Sequence, residues 1–226
     1  MDLELAGRVV LVVGGTGVIG SAVVSRLEEE GATVVVGSRS TPTGVRVDAT
    51  DDASVAGAVA GLLAEHGRLD GLVVTAAPSA RTLDLDRHAD PAQVIGAVDV
   101  KAMAFLRLAN AVLPSMVEAG FGRIVGVSGQ NAFITGNVTG AVRNAALIIA
   151  AKNLADSVAG SGVTVNTVSP GVVTPSPSSE VRPGAGGESS PDQIADLIAF
   201  LLSPRTAAIS GESIATGHRL RGVVSF

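Results

Sequence analysis

Near the start of the chain an apolar run, residues 9–14 (VVLVVG), passes through Gly14-Gly15-Thr16-Gly17-Val18-Ile19-Gly20 straight into a segment where Ile19, Ala22, Val23 and Leu27 recur at helical spacing until Gly31. This junction limits the fold more than any other feature. A buried strand that turns at once into an amphipathic helix is half of a crossover, and crossovers are what parallel strands require. The same alternation then continues. Residues 32–37 (ATVVVG) read as a second strand and, after a Pro/Gly turn too short for a helix, residues 45–48 (VRVD) as a third. A helix from Asp51 to His66 carries Val55, Ala58, Val59, Leu62 and Leu63, and LDGLVVTAA follows as the fourth strand. Residues 98–117 form a long helix with Ala102, Phe105, Leu106, Ala109, Val112, Leu113 and Met116 on one side. Next come the strand RIVGVS, a helix over residues 139–159, the strand VTVNTVS, a Pro/Ser/Gly surface loop over 175–190, a helix opening at Pro191, and a last strand over 212–216. The order predicts an α/β fold: a single Rossmann-type doubly wound domain over residues 1–226, its mainly parallel seven-stranded sheet flanked by about six helices.

Composition agrees. Apolar residues make up 46% of the chain and aromatic ones 2%, so the interior is packed from Val, Leu, Ile and Ala, as suits strands buried on both faces. A net charge of −5 without any block of like charge offers no surface for nucleic acid or an anionic membrane. The absence of cysteine excludes disulfides, a thiolate nucleophile and Cys-ligated metal. The opening MDLELAGRVV has acids before its apolar run and no basic segment, so it reads as neither signal peptide nor membrane span, and a cytoplasmic protein is expected. No metal site is expected, because His66, His88 and His218 have no ligand spacing.

The glycine-rich junction is the first element with chemistry. Glycines allow the tight turn and let the backbone N–H groups of the helix N-terminus approach a pyrophosphate, where aligned peptide dipoles favour an anion. Gly14, Thr16, Gly17, Val18, Ile19 and Gly20 are therefore candidate dinucleotide-binding residues. The end of the second strand bears on which dinucleotide. A carboxylate there accepts the ribose 2′-hydroxyl of NAD, whereas this chain has Gly37-Ser38-Arg39-Ser40-Thr41, a guanidinium and hydroxyls suited to a 2′-phosphate. NADP(H) is the expected cofactor, held in part by Ser38 and Arg39. Asp48 either accepts from an adenine amino group or caps its own turn.

In these and further segments the chain resembles the short-chain dehydrogenase/reductase family over essentially its whole length. Besides the glycine turn, the resemblance rests on LDGLVVTAA, on GRIVGVS, on VTVNTVSPGVVTP and on the closing PDQIADLIAFLLSP with ISGESI. It implies cofactor contacts at Ala76, Pro170 and Gly171, and at Thr174, which follows the Pro-Gly pair and matches a family threonine that contacts the nicotinamide amide. It also implies a catalytic set of Asn, Ser, Tyr and Lys, in which the tyrosine protonates the reduced carbonyl and the lysine lowers its pKa.

That set is not present here. The chain contains no tyrosine at all. The Asn position falls on Lys101, the serine position on Gly129 beside Ser128, the tyrosine position on Gly140 and the lysine position on Asn144. A register one residue earlier offers Thr139 and Arg143. A positioned general acid contributes about 10²- to 10⁴-fold, roughly 3 to 5 kcal/mol of barrier. Three routes around its loss are open: Lys101 as acid or electrostatic stabiliser, Arg143 holding the nicotinamide ribose, or a small carbonyl, quinone or imine substrate activated enough to accept hydride unaided. Lys101, Ser128, Arg143 and Asn144 are the candidate catalytic residues. The other reading is a pseudoenzyme that senses NADP(H), holds a ligand or partners an active paralogue. The helix over 98–117 and the apolar run over 145–151 exceed what one sheet face needs, so a homodimer or homotetramer is expected.

Overall fold

A computed structural model describes residues 2–40, 43–77 and 82–222 of the chain. Its seven-stranded sheet has the order β3-β2-β1-β4-β5-β6-β9 and every pairing is parallel. The strands are β1 (Val9–Val13), β2 (Thr33–Ser38), β3 (Val45–Arg46), β4 (Gly71–Val74), β5 (Gly122–Val127), β6 (Val163–Pro170) and β9 (Ser213–Thr216). Side chains alternate across the sheet, so β1 feeds two cores. Val9, Leu11 and Val13 point to one, built with Leu72, Phe105, Leu108, Met116 and Ile124. Val10 and Val12 point to the other, with Leu27, Val73, Ile194, Ile198 and Leu201. Helices α2 (Asp52–His66), α4 (Ala104–Glu118) and α5 (Val138–Ser157) cover the first face, and α1 (Val18–Glu29) and α6 (Pro191–Leu202) the second. The doubly wound fold is thus as expected.

Three details differ from the sequence reading. The expected helix over 98–117 begins earlier: α3 (Pro91–Val98) and α4 are joined through a π-helical turn, Asp99–Met103. Asp90 caps α3 by accepting from the Ala92 N–H at 2.8 Å, and Pro91 follows at the first helical position, where its missing N–H is no loss. The combined helix is apolar enough to cross a bilayer, but half of its most apolar window is buried against the sheet. The third strand shrinks to Val45–Arg46, because Asp48 turns back to accept from the Thr50 N–H and hydroxyl. The segment over 175–190 is not wholly loop, since β8 (Glu188–Ser189) pairs with β7 (Val172–Val173) in a ribbon outside the main sheet.

At the amino end of the sheet one carboxylate ties three strands. Asp70 accepts from the Val9 N–H at 2.9 Å, from Arg8 Nη1 at 3.1 Å and from Arg68, while its own carbonyl accepts from the Arg123 N–H at 3.0 Å. Burial pushes the Asp70 pKa up, but the bonds from Arg68, Val9 and Arg8 together outweigh it and hold the carboxyl below its ordinary value. The folded state therefore binds fewer protons than the unfolded chain. The resulting stability is present above the unfolded carboxylate pKa of about 3.9 and is lost as pH falls through the folded value. Asp70→Asn is expected to destabilise the fold by about 1–3 kcal/mol at neutral pH. Urea unfolding at neutral and acidic pH checks this, and the gap between variant and parent must close on acidification.

Candidate active site at the carboxyl ends of the strands

The glycine turn is fixed by sterics at two positions. Gly14 has φ +88°, and a Cβ there would meet the Ala76 backbone nitrogen at 2.6 Å, so the β1 and β4 ends approach more closely than any side chain permits. A Cβ on Gly20 would lie 2.1 Å from the Gly14 carbonyl oxygen, which is how near α1 comes to the strand that feeds it. The Gly17 N–H donates to the Gly14 carbonyl at 3.0 Å, closing the turn. Thr75 adds a clamp that sequence reasoning missed: its hydroxyl is 3.2 Å from the Val13 carbonyl and 3.0 Å from that of Gly14.

A cavity of about 400 Å³ opens beside this turn. Gly14, Thr16, Gly17, Ser38, Arg39, Asp48 and Ala76 line it, together with Val47, Thr50 and Val100. Asp48 is both turn cap and wall: Thr50 takes its Oδ1 through two bonds, which with the Arg39 guanidinium keep its carboxyl below the usual range. Thr50 was a second omission, although the Asp-x-Thr spacing ahead of the Asp51 helix cap could have pointed to it. Val18 is 70% exposed at the mouth of α1, and Ile19 packs into the core beneath. Thr41 lies outside the described residues.

Pro170, Gly171 and Thr174 are two strands away, at the end of β6 and along the β7–β8 ribbon, and do not line this cavity. There Gln130, which the sequence reading passed over, is 2% exposed and donates from Nε2 to the carbonyls of Thr216 and His218 at 3.1 and 3.0 Å. Gly171 lets the Gly187 carbonyl come within 2.1 Å of where its Cβ would be. The Thr174 N–H donates to the Ser189 carbonyl, so this residue is held by the ribbon. The His218 carbonyl accepts from Gln130 Nε2 and from the Gly187 N–H, and the His66 side chain ends α2.

The catalytic candidates cluster around Ser128, where β5 ends. The π-helical turn holds Lys101 inward, leaving it 6% exposed, and Nζ donates to the Ser128 carbonyl at 3.1 Å. Burial, with the nearby Arg143 cation adding to it, pushes the Lys101 pKa down to about 7. The Ser128 hydroxyl donates to the Asn144 carbonyl at 3.0 Å. The Asn144 amide donates to the Gly140 carbonyl at 2.9 Å, while its Oδ1 is buried without a hydrogen-bond partner among the described residues. A Cβ on Gly129 would lie 3.3 Å from Asn144 Nδ2. Gly129 and Asn144 thus pack together beside Ser128. Thr139 is fully buried on another side of α5, where its hydroxyl donates to the His88 carbonyl at 2.7 Å and its ring of contacts includes Gln93 of α3. Arg143, one turn on, is 4% exposed, and burial lowers its pKa.

Comparison with known proteins bears on this arrangement. The family model described as enoyl-(acyl carrier protein) reductase matches residues 15–217. The 3-oxoacyl-[acyl-carrier-protein] reductase FabG of Vibrio cholerae is 29% identical, covering 94% of this chain and 96% of the relative. The (2S)-[(R)-hydroxy(phenyl)methyl]succinyl-CoA dehydrogenase subunit BbsC of Thauera aromatica is 30% identical over 92% of each. The aldohexose dehydrogenase of Thermoplasma acidophilum superimposes with a TM-score of 0.82 over 100% of this chain and 99% of its own, at 19% identity, a likeness of fold. A glycine turn beside a cavity at the strand ends, in a chain matched along almost its full length by these reductases and dehydrogenases, places the protein in the short-chain dehydrogenase/reductase family.

Proposed function

We propose that the protein binds NADP(H) in the cavity beside the glycine turn and reduces a small, activated carbonyl, quinone or imine compound. The observation that carries this reading is the joining of Gly14, Gly17 and Arg39 in one wall. The cavity suits a dinucleotide: the turn leaves no room for a Cβ at Gly14, as close backbone approach to a pyrophosphate requires, and Arg39 stands where a 2′-phosphate would lie. Bound NADPH supplies the hydride. The chain's own residues would do the rest: the start of α1 holds the phosphates through Gly17 and Val18, Ser38 and Arg39 recognise the phosphorylated ribose, and Asp48, with one oxygen engaged by Thr50, keeps the other for the adenine amino group. Arg39→Ala is expected to weaken NADPH binding by about 10- to 100-fold, the worth of a charge-assisted contact, with little change for NADH. Titration calorimetry with both coenzymes tests it, and equal losses for both would overturn the assignment.

The second reading, a pseudoenzyme, is favoured by Gly140 and Asn144 standing in the positions implied for the tyrosine and lysine. NADPH oxidation over a panel of ketones, quinones and imines separates the two, since binding without turnover fits only the pseudoenzyme.

We also propose a cytoplasmic homo-oligomer. Ile95 of α3 and Ile149 of α5, on packed neighbouring helices, are 69% and 61% exposed, with Val138 and Val142 at 42% and 40%. A second copy of the chain covering this face would remove that apolar area from water. Sedimentation is expected to give a dimer or tetramer, and Ile149→Glu to shift it toward monomer. A monomeric parent at micromolar concentration would contradict the assembly.

A further inference from the structure

Of the two lysines, Lys152 is half exposed and paired with Asp156, whereas Lys101 is enclosed. An ammonium has three N–H donors. Among the described residues only the Ser128 carbonyl accepts from Lys101. Ser128 in turn donates to the main chain of Asn144, so Lys101 and Asn144 are joined through one serine. Asn144 is itself 3% exposed and leaves Oδ1 without a donor. Gly129 beside them has no side chain, and a Cβ there would lie 3.3 Å from Asn144 Nδ2. The cluster therefore holds spare N–H donors on a buried cation and a spare acceptor on a buried amide. Left unmet, such groups are strongly unfavourable. A ketone oxygen satisfies only the first, but a hydroxyl accepts from the ammonium and donates to the amide oxygen.

We propose that Lys101 is the proton donor of the cleft: its ammonium protonates the oxygen of a carbonyl substrate as the carbon accepts hydride, and Asn144 Oδ1 receives the hydroxyl so formed. The assignment rests on the reductase reading above. The carbonyl carbon gains a hydride, with its two electrons, from the reduced dinucleotide, and the C=O π pair moves onto oxygen. That oxygen takes a proton from Lys101, leaving the alcohol and a neutral amine that recovers its proton from solvent. A cation at the developing alkoxide also stabilises it electrostatically, more strongly in a dry site than in water. Amine and amide have in effect exchanged helices relative to the family pattern, with the cation on the π-helical turn and the amide on α5.

The neighbours of Lys101 support this use. The elements packed on its turn are α3, α4 and α5. No ionisable residue occurs on α3, Arg107 of α4 is paired with Asp52 and Asp99, and α5 brings Arg143. Among the described residues no carboxylate holds the proton on Lys101, and burial lowers its pKa to about 7. An acid near the working pH transfers its proton more readily than a free phenol, whose pKa is about 10.

The test compares parent, Lys101→Met and Lys101→Arg in three measurements: NADPH binding by fluorescence titration, kcat/KM for NADPH-dependent reduction of ethyl pyruvate between about pH 5 and 9, and melting temperature against pH. All three proteins are expected to bind NADPH. The parent rate should fall as pH rises through about 7, because the acid must be protonated. Both variants should lose about 10²- to 10⁴-fold and the pH break, since methionine has no proton and arginine does not release one. Melting reads the same amine without turnover. A lysine depressed in the fold binds fewer protons than the unfolded chain between about pH 7 and the free lysine value of about 10.4, so parent stability rises across that window. Lys101→Met should melt above the parent at acidic pH, with the gap narrowing toward pH 10. A variant with parental kcat/KM, a parent profile flat through neutrality, parallel melting curves, or a parent that binds NADPH and reduces nothing would each overturn the proposal. Failure of the parent to bind NADPH would instead bring down the reductase reading itself, and this assignment with it.

Discussion

The contact on which the rest of the structure depends is the approach of α1 to the carbonyl of Gly14. A Cβ at position 20 would stand 2.1 Å from that oxygen, so any other residue there would push the helix away from β1. The close approach sets the start of α1 directly over the end of the central strand. The turn between strand and helix then forms one side of the cavity, whose other walls are the segments that follow β2, β3 and β4. Moving α1 outward would also loosen its packing on α6, and with it the whole second core. Binding geometry and stability are thus tied at one pair of glycines.

Much of this was legible in the sequence because the patterns involved are local. The run VVLVVG followed by glycines and an apolar helical period specifies strand, turn and helix within about twenty residues, and the parallel sheet then follows from the repetition. The cavity walls at Ser38, Arg39 and Asp48 follow likewise, because a parallel sheet brings the ends of neighbouring strands together. The features that escaped are those decided by tertiary contact. The Asp90-Pro91 helix start was visible as a cap signal but stood ahead of the strongly periodic segment and was overlooked. The π-helical turn has no local signature in DVKAM. The β7–β8 ribbon consists of two-residue strands whose partner lies some fifteen residues away, and Gln130 acts through carbonyls that only the fold brings near.

Around Ser128 the Lys101 amine and the Asn144 amide come together from positions that sequence alone could only align, with Gly129 packed against Asn144. Thr139, the residue before Gly140, instead has its hydroxyl engaged by the His88 carbonyl. Direction along the helix, more than residue type, decides which groups meet in the cleft.

At the far end of the sheet the Phe121 ring lies 4.0 Å from the Arg8 guanidinium and 4.4 Å from that of Arg123, while Arg123 also reaches the carbonyls of Gly122, Gly162 and Ser203. Together with Asp70 these groups weld the amino ends of β1, β4 and β5 into one block. Amides fixed in such a block, those of Val9 and Arg123 among them, are expected to exchange with solvent only through opening of the whole sheet, which makes them natural reporters of global stability.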